Sequence, residues 1–281
     1  MSLTDEQLAL RQSGIGASEI GAIAGLNPWM SAHDVWLVKR GLATNAGSVH
    51  SRMGQRIEAA VAAEYTEDQG AELGHFGTIV HPKHPWMMAT PDACVFGVRR
   101  IVEIKCVGWR LAHHWGSDAD AIPEYYRPQV EWQLEVCDAD ECHVAAWIGG
   151  SDFRIYTIKR DRELAGILTE IGRKFWFDHV LTGTPPAVDG SEGARRMLDK
   201  LFPRNTKPML PATPEIAEMA ARLREAKALT ERAEAEQAAA QNRIIEALGE
   251  AEGVAAPDFK ITYRADKAGK RRFLFKTKEA A

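Results

Sequence analysis

Cysteine is scarce and unpatterned. The four residues Cys94, Cys106, Cys137 and Cys142 form no CxxC pair, so neither a disulfide scaffold nor a thiolate metal site is signalled. Zinc is not expected either, because the nine histidines, among them His81, His84, His113 and His114, show no HxxxH or cysteine–histidine spacing. No apolar run reaches the roughly 18 residues that cross a bilayer, which leaves no membrane partner. The opening MSLTDEQLALRQS lacks the basic start and apolar stretch of a secretion signal, and the expected compartment is a reducing cytoplasm. Excess positive charge is also missing. A net charge of −4 argues against a nucleic-acid coat held by bulk positive charge. It does not exclude an enzyme whose own carboxylates gather divalent cations around a phosphate backbone.

What is present is ordinary globular composition, 45% hydrophobic and 26% charged over 281 residues, enough for one full-sized core and a smaller appendage. Ser18-Glu19-Ile20 reads as a capped short helix that Pro28 stops, His33 to Gly41 as a helix, and Ser51 to Gly70 as a longer amphipathic one. From Gly77 the pattern turns to short β-type runs, GTIVH, ACVFGV and RRIVEIKCV. A helix from Ile122 to Val136, the strands CHVAAWIGG and FRIYTIK, and a helix from about Asp161 to Leu181 complete an α/β core over 1–182. Prolines and polar residues over 183–214 read as a linker holding one short helical piece, Ala194 to Phe202. Beyond it, 215–281 forms a C-terminal segment. Glu215 to Leu248 is one long helix or a helical hairpin, and the tail alternates apolar and basic residues about Asp266 to Gly269 as a β-hairpin does.

Thr90-Pro91-Asp92, a gap, then Val102-Glu103-Ile104-Lys105-Cys106 carries the chemistry. Glu103 and Lys105 project from one face of an apolar strand, while Val102, Ile104 and Cys106 point to the other. Two charges on a buried strand are costly unless they meet a metal, a counter-charge or a substrate. Asp92 lies on the preceding strand with Gly97 in the connection, so a hairpin brings its carboxylate beside Glu103. Two close carboxylates call for a cation between them, and oxygen ligands select magnesium or manganese. Lys105 then polarises a water or neutralises charge developing on a phosphoryl group, the outline of a phosphodiester hydrolysis site. The competing reading is a Glu103–Lys105 ion pair at a strand edge, with Asp92 capping a turn after Pro91.

Pro91-Asp92 and Glu103-Ile104-Lys105 together resemble the PD-(D/E)xK nuclease signature. The longer stretch from about residue 8 to 160 resembles the YqaJ-like viral recombinase family, relatives of phage lambda exonuclease. RQSGIGASEI resembles the family's N-terminal motif, whose arginine and serine hold a DNA 5′-phosphate, with Arg11 and Ser18 in those places. GQRIE, with Gly54 and Glu58, resembles a helical motif that supplies a further acidic residue. YRPQVEWQLEV resembles a glutamine-bearing helix, although relatives read Gln-x-Gln where this chain has Gln129-Val130-Glu131, leaving Gln129, Glu131 and Gln133 as candidates.

The resemblance implies a restriction-endonuclease-like fold, a mixed central sheet flanked by helices. It implies two-metal hydrolysis with Mg2+, Mn2+ substituting, in which Asp92, Glu103 and the Ile104 carbonyl hold metal, Glu58 assists, Lys105 positions the water, and Gln129 contacts DNA or that water. The implied activity is 5′-to-3′ exonuclease digestion of linear double-stranded DNA in phage or prophage recombination, inside a bacterial host. A single-strand annealing protein is the implied partner and a homotrimer the implied assembly. Two rivals stand beside it, an endonuclease on the same site and a DNA-end-binding protein without catalysis.

Trp36, Trp132, Trp147 and Trp176 fall at positions compatible with burial rather than base stacking. Cys94 and Cys106 lie within the motif strands and read as small buried thiols rather than iron–sulfur ligands. The tail carries Lys260, Arg264, Lys267, Lys270, Arg271, Arg272, Lys276 and Lys278, either a lysine-guarded strand edge or a second DNA contact.

Overall fold

A computed structural model describes residues 10–44 and 49–277, which fall into two compact units, 1–204 and 205–281. Lys278 of the tail lies outside the described residues.

The first unit begins with β1 (Ile15–Gly16), α1 (Ala17–Ile23), α2 (Ala32–Lys39) and α3 (Val49–Gln69). Local chemistry starts α2: the Ser31 hydroxyl accepts the Asp34 main-chain N–H while the Asp34 carboxylate accepts that of Ser31, satisfying two donors left orphaned at the helix end. Five strands follow, β2 (Leu73–Gly74), β3 (Ile79–Val80), β4 (Met87–Ala89), β5 (Ala93–Val95) and β6 (Arg100–Val107). Then come α4 (Arg127–Val136), β7 (Glu141–Ile148), β8 (Asp152–Lys159) and α5 (Arg162–Lys174), the last running on through a π-helical turn to Val180, and finally α6 (Glu192–Leu201). The central sheet has the order β2-β5-β6-β7-β8 and is mixed, since β6 and β7 run parallel and the other neighbours antiparallel. A second, three-stranded sheet has the order β1-β4-β3.

Alternation along β6 sorts its side chains. Val102 and Ile104 pack with Val61 and Tyr65 of α3, while Ile101 and Val107 join Val130 and Leu134 of α4 on the opposite face. A third cluster, built from α1, α2, α5, Trp86 and Trp132, closes the other side of α4, so that helix is buried almost all round. This sandwich puts Glu103 and Lys105 on the face that α4 covers.

Three expectations need correction. The helix placed at Ile122 starts at Arg127, because Pro123 and Pro128 restrict the residues before them and Pro128 fits only the first turn. Ile122 is instead buried in the approach to it. The stretch 183–214 is not a linker throughout: α6 buries Met197 at 0% exposure, Arg196 bridges to Asp34 at 2.8 Å, and His33 Nε2 donates to the Ala187 carbonyl at 2.9 Å. Regular structure is lacking over 183–191 and 202–213, and the first of these is tied down by the His33 bond. Cys94 and Cys106 are half-buried rather than buried, their thiols directed to the Gly74 and Gly54 carbonyls.

The second unit has α7 (Pro214–Leu248), a single helix capped by Thr213 with Pro214 at its first position, and no buried residue along its 35. Three strands follow, β9 (Gly253–Ala255), β10 (Phe259–Ala265) and β11 (Arg271–Thr277), in the order β11-β10-β9. The hairpin turn is set by Asp266, whose carboxylate accepts the Ala268 and Lys270 N–H groups, and by Gly269 at φ +80°.

Candidate active site

The β5–β6 hairpin turns at Gly97, whose φ of +80° favours glycine. Ala93 pairs with Val102 and Cys94 with Ile101, and continuing that register by one step sets Asp92 opposite Glu103. The ladder ends there. Asp92 uses the freed edge, its Oδ2 accepting the Ile104 N–H at 2.6 Å. Because the N–H and C=O of a strand residue point to the same side, the Ile104 carbonyl opens on that edge too.

Glu103 is 4% exposed and fully engaged. Its Oε1 accepts Lys105 Nζ at 2.5 Å and Gln129 Nε2 at 2.6 Å, and its Oε2 accepts Gln133 Nε2 at 2.7 Å. Lys105 also donates to Gln129 Oε1 at 3.2 Å and lies 4.7 Å from the centre of the Tyr126 ring. Gln129 and Gln133 reach the same carboxylate because they stand four apart on α4. Glu131 faces away and accepts the Asp161 N–H ahead of α5. Of the three candidates on this helix, therefore, two meet Glu103 and Glu131 does not.

Glu58 enters from α3 and hydrogen-bonds the Asp92 carboxyl. Burial, then that bond to Glu58, pushes Asp92 up to about 7 against the pull of Lys105 and the Ile104 N–H. Glu103 is raised by burial and by the facing Asp92. Burial alone would lower Lys105, but Glu103, Tyr126 and Asp92 outweigh it and hold the ammonium above its ordinary value. Three acids and a fixed ammonium thus crowd one strand edge.

An all-oxygen donor set of Asp92, Glu58, Glu103 and the Ile104 carbonyl has the chemistry of a magnesium or manganese site. Burial, and then the bond to Glu58, disfavours the charged form of Asp92, a cost that a divalent cation offsets. Among the described residues no three acidic, imidazole or thiol side chains converge on one point. The fit therefore lies in donor type and electrostatics, with Glu103 committed to Lys105 and the two glutamines.

Beside these groups is a cavity of about 40 Å³ whose walls include Arg11, Ser18, Thr78, Thr90, Gln129 and Gln133. The two glutamines line it as well as holding Glu103, and the buried Gln133 Oε1 has no hydrogen-bond partner among the described residues. Arg11 is held through its backbone: Lys39 donates to its carbonyl at 2.6 Å and pairs with Glu19 at 2.8 Å, and Glu19 in turn accepts the Gly16 N–H at 2.7 Å. Gly16 is thus the residue that caps α1, not Ser18, which sits one position inside the helix. Thr90 is visible in sequence as the neighbour of Pro91-Asp92. Thr78, hydrogen-bonded to Thr90 at 3.0 Å, and the buried Lys39 carry no local signal and emerge only from the tertiary fold.

The description "YqaJ-like viral recombinase domain" matches residues 6–140. Over 203 residues the chain is 32% identical to the uncharacterized protein YqaJ of Bacillus subtilis (strain 168), a match covering 70% of this chain and 63% of that protein, so the chain spans less than two thirds of this relative. An uncharacterized protein of Acanthamoeba polyphaga mimivirus is 31% identical over 100 residues, 32% of this chain and 18% of that one. The crystal structure of an alkaline exonuclease, LHK-Exo, from Laribacter hongkongensis superposes with a TM-score of 0.54 at 18% identity, over 71% of this chain and 100% of that one. Its complex with dAMP gives the same score at 19% identity, again over 71% and 100%. That likeness shows a shared fold, a mixed sheet between helices. Over residues 6–140, just under half of the chain, the sequence is similar to the YqaJ-like viral recombinase domain.

Proposed function

We propose that the chain is a divalent-cation-dependent exodeoxyribonuclease that degrades linear duplex DNA from 5′-phosphorylated ends in phage or prophage recombination. The observation that carries this reading is the sharing of Gln129 and Gln133 between the carboxylate–lysine cluster and the Arg11–Ser18 cavity. A volume of about 40 Å³ holds roughly three waters, comparable to a phosphate group. In this reading Arg11 and Ser18 donate to the terminal phosphate, and the two glutamines tie its binding to the hydrolytic centre. The name of the fold neighbour, an alkaline exonuclease, is consistent with it.

Asp92, Glu103, Glu58 and the Ile104 carbonyl would hold magnesium or manganese, which when bound neutralises phosphate charge and lowers the pKa of water. Lys105, kept as an ammonium, serves as a donor that orients the attacking water and offsets negative charge on the phosphoryl oxygens, not as a proton acceptor. Gln129 fixes Lys105 and Glu103 in register. The resulting single strand would pass to a single-strand annealing protein.

The test is digestion of linear duplexes with 5′-phosphate or 5′-hydroxyl ends, alongside a closed circle, with magnesium or chelator. The proposal expects magnesium-dependent loss of the 5′-phosphorylated linear strand and an untouched circle. Cleavage of the circle would replace exonuclease by endonuclease, and no cleavage with any divalent metal would remove the enzymatic reading.

A further inference from the structure

The C-terminal unit carries a charge pattern that the hydrolytic site does not use. Between Phe259 and Thr277 there are seven lysines and arginines against one acid, Asp266, in a chain whose net charge is −4. The β10–β11 register sorts them. Lys260 stands opposite Lys276, Thr262 opposite Leu274, and Arg264 opposite Arg272, so these six side chains share one face. Lys260, Arg264, Arg272 and Lys276 are all exposed. On the same face β9 contributes only Ala255 and Gly253, leaving the long cations standing clear. The other face is apolar, with Ile261 buried and Phe259 and Phe275 in ring contact at 6.0 Å.

Like charges set directly opposite one another destabilise a hairpin. Edge protection accounts for cations on β11, which is an edge strand, but not for Lys260 and Arg264 on β10, which is paired on both sides. Arg271 has a structural task, bonding the Tyr263, Gly249 and Ala251 carbonyls. Arg264 and Arg272 reach Glu252 and Asp266 only in exposed pairs of small worth. Lys260 and Lys276 form no ion pair among the described residues.

We infer that this face, Lys260, Arg264, Arg272 and Lys276, is a sequence-independent contact for the phosphate backbone of duplex DNA, carried outside the YqaJ-like residues 6–140. A polyanion relieves the opposed charges and releases condensed counterions, and the regular spacing of cations along two adjacent strands suits a repeating phosphate lattice. The inference takes from the proposed function only that the polyanion is DNA.

The experiment uses the full chain in chelator with a duplex closed by hairpin loops at both ends, so that no 5′ end is offered. Binding is measured against salt for the wild type, Lys260→Ala/Lys276→Ala and Lys260→Arg/Lys276→Arg. The expected result is binding by the wild type, a log–log salt slope shallower by about 1.8 in the alanine variant at roughly 0.9 per lost phosphate contact, and a wild-type slope in the arginine variant. An unchanged slope in the alanine variant, loss of slope in the arginine variant, or binding to single strands or anionic vesicles but not to the closed duplex would each overturn the inference. Digestion of linear 5′-phosphorylated duplex at saturating DNA separates the two readings. Closed-duplex binding without digestion defeats the nuclease and leaves this surface standing, whereas full digestion with an unchanged slope does the reverse.

Discussion

Two strand faces in this protein carry clustered charges, and they have opposite fates. On β6, Glu103 and Lys105 lie beneath α4, and every polar atom of Glu103 meets a donor from Lys105, Gln129 or Gln133. On β10 and β11, Lys260, Arg264, Arg272 and Lys276 stand in solvent with like charges opposed. Buried charge must be matched atom by atom, so its partners fix a geometry in which chemistry can be aimed. Exposed charge needs no such match and interacts through the summed field, which suits a ligand with a repeating charge and no required register.

The contrast predicts a ranked set of effects. The largest belongs to Lys105→Ala, expected to lower turnover by about a hundredfold or more with the fold and DNA binding retained, as single-turnover kinetics and thermal melting would show. Turnover near wild type would take Lys105 out of the mechanism. Next is Arg11→Ala, for which the preference for 5′-phosphate over 5′-hydroxyl ends should fall by about tenfold, the scale of one charge-assisted hydrogen bond, in paired digestion rates. An unaltered preference would detach the cavity from end recognition.

A pH experiment sharpens the buried side. Asp92 is raised from 3.8 to about 7, so in metal-free protein its contribution to stability is complete below the unfolded pKa near 4 and is lost as pH rises through about 7. A cation bound to the ionised carboxylate restores that loss. The rise in Tm on adding magnesium should therefore be larger at about pH 8 than at about pH 5.5. An equal rise at both would separate metal binding from Asp92. The smallest effect is on the exposed side: Arg264→Ala, which breaks the exposed pair with Glu252, should change stability by less than about 0.5 kcal/mol in a denaturant titration.

Much of the buried site was readable in sequence because it is local. A one-residue alternation on an apolar strand announces Glu103 and Lys105, and the glycine-bearing connection to Asp92 implies the hairpin. What was not readable depends on segments distant in the chain. Gln129, Glu131 and Gln133 are equivalent candidates until α4 is rotated onto the sheet, and that rotation is set by Trp132 and Val136 packing on one side and Val130 and Leu134 on the other. Ser18 reads as a helix cap because serine favours that position, yet Glu19 and Gly16 form the cap. The proline-rich segment around α6 reads as a linker because composition does not reveal that Met197 and Arg196 meet α2. Long α7 is the single helix of the two forms its sequence left open, and the terminal hairpin forms as its pattern suggests, with β9 added on its inner edge.

The central claim is that Asp92, Glu103 and Lys105 form a cation-dependent hydrolytic centre. It is tested most directly by following release of acid-soluble nucleotides from linear 5′-phosphorylated duplex during a magnesium titration of the wild type and of Asp92→Asn. The account predicts saturable magnesium-dependent release by the wild type and its loss in Asp92→Asn with DNA binding retained. Equal release by the two proteins, or release by the wild type in chelator, would contradict it.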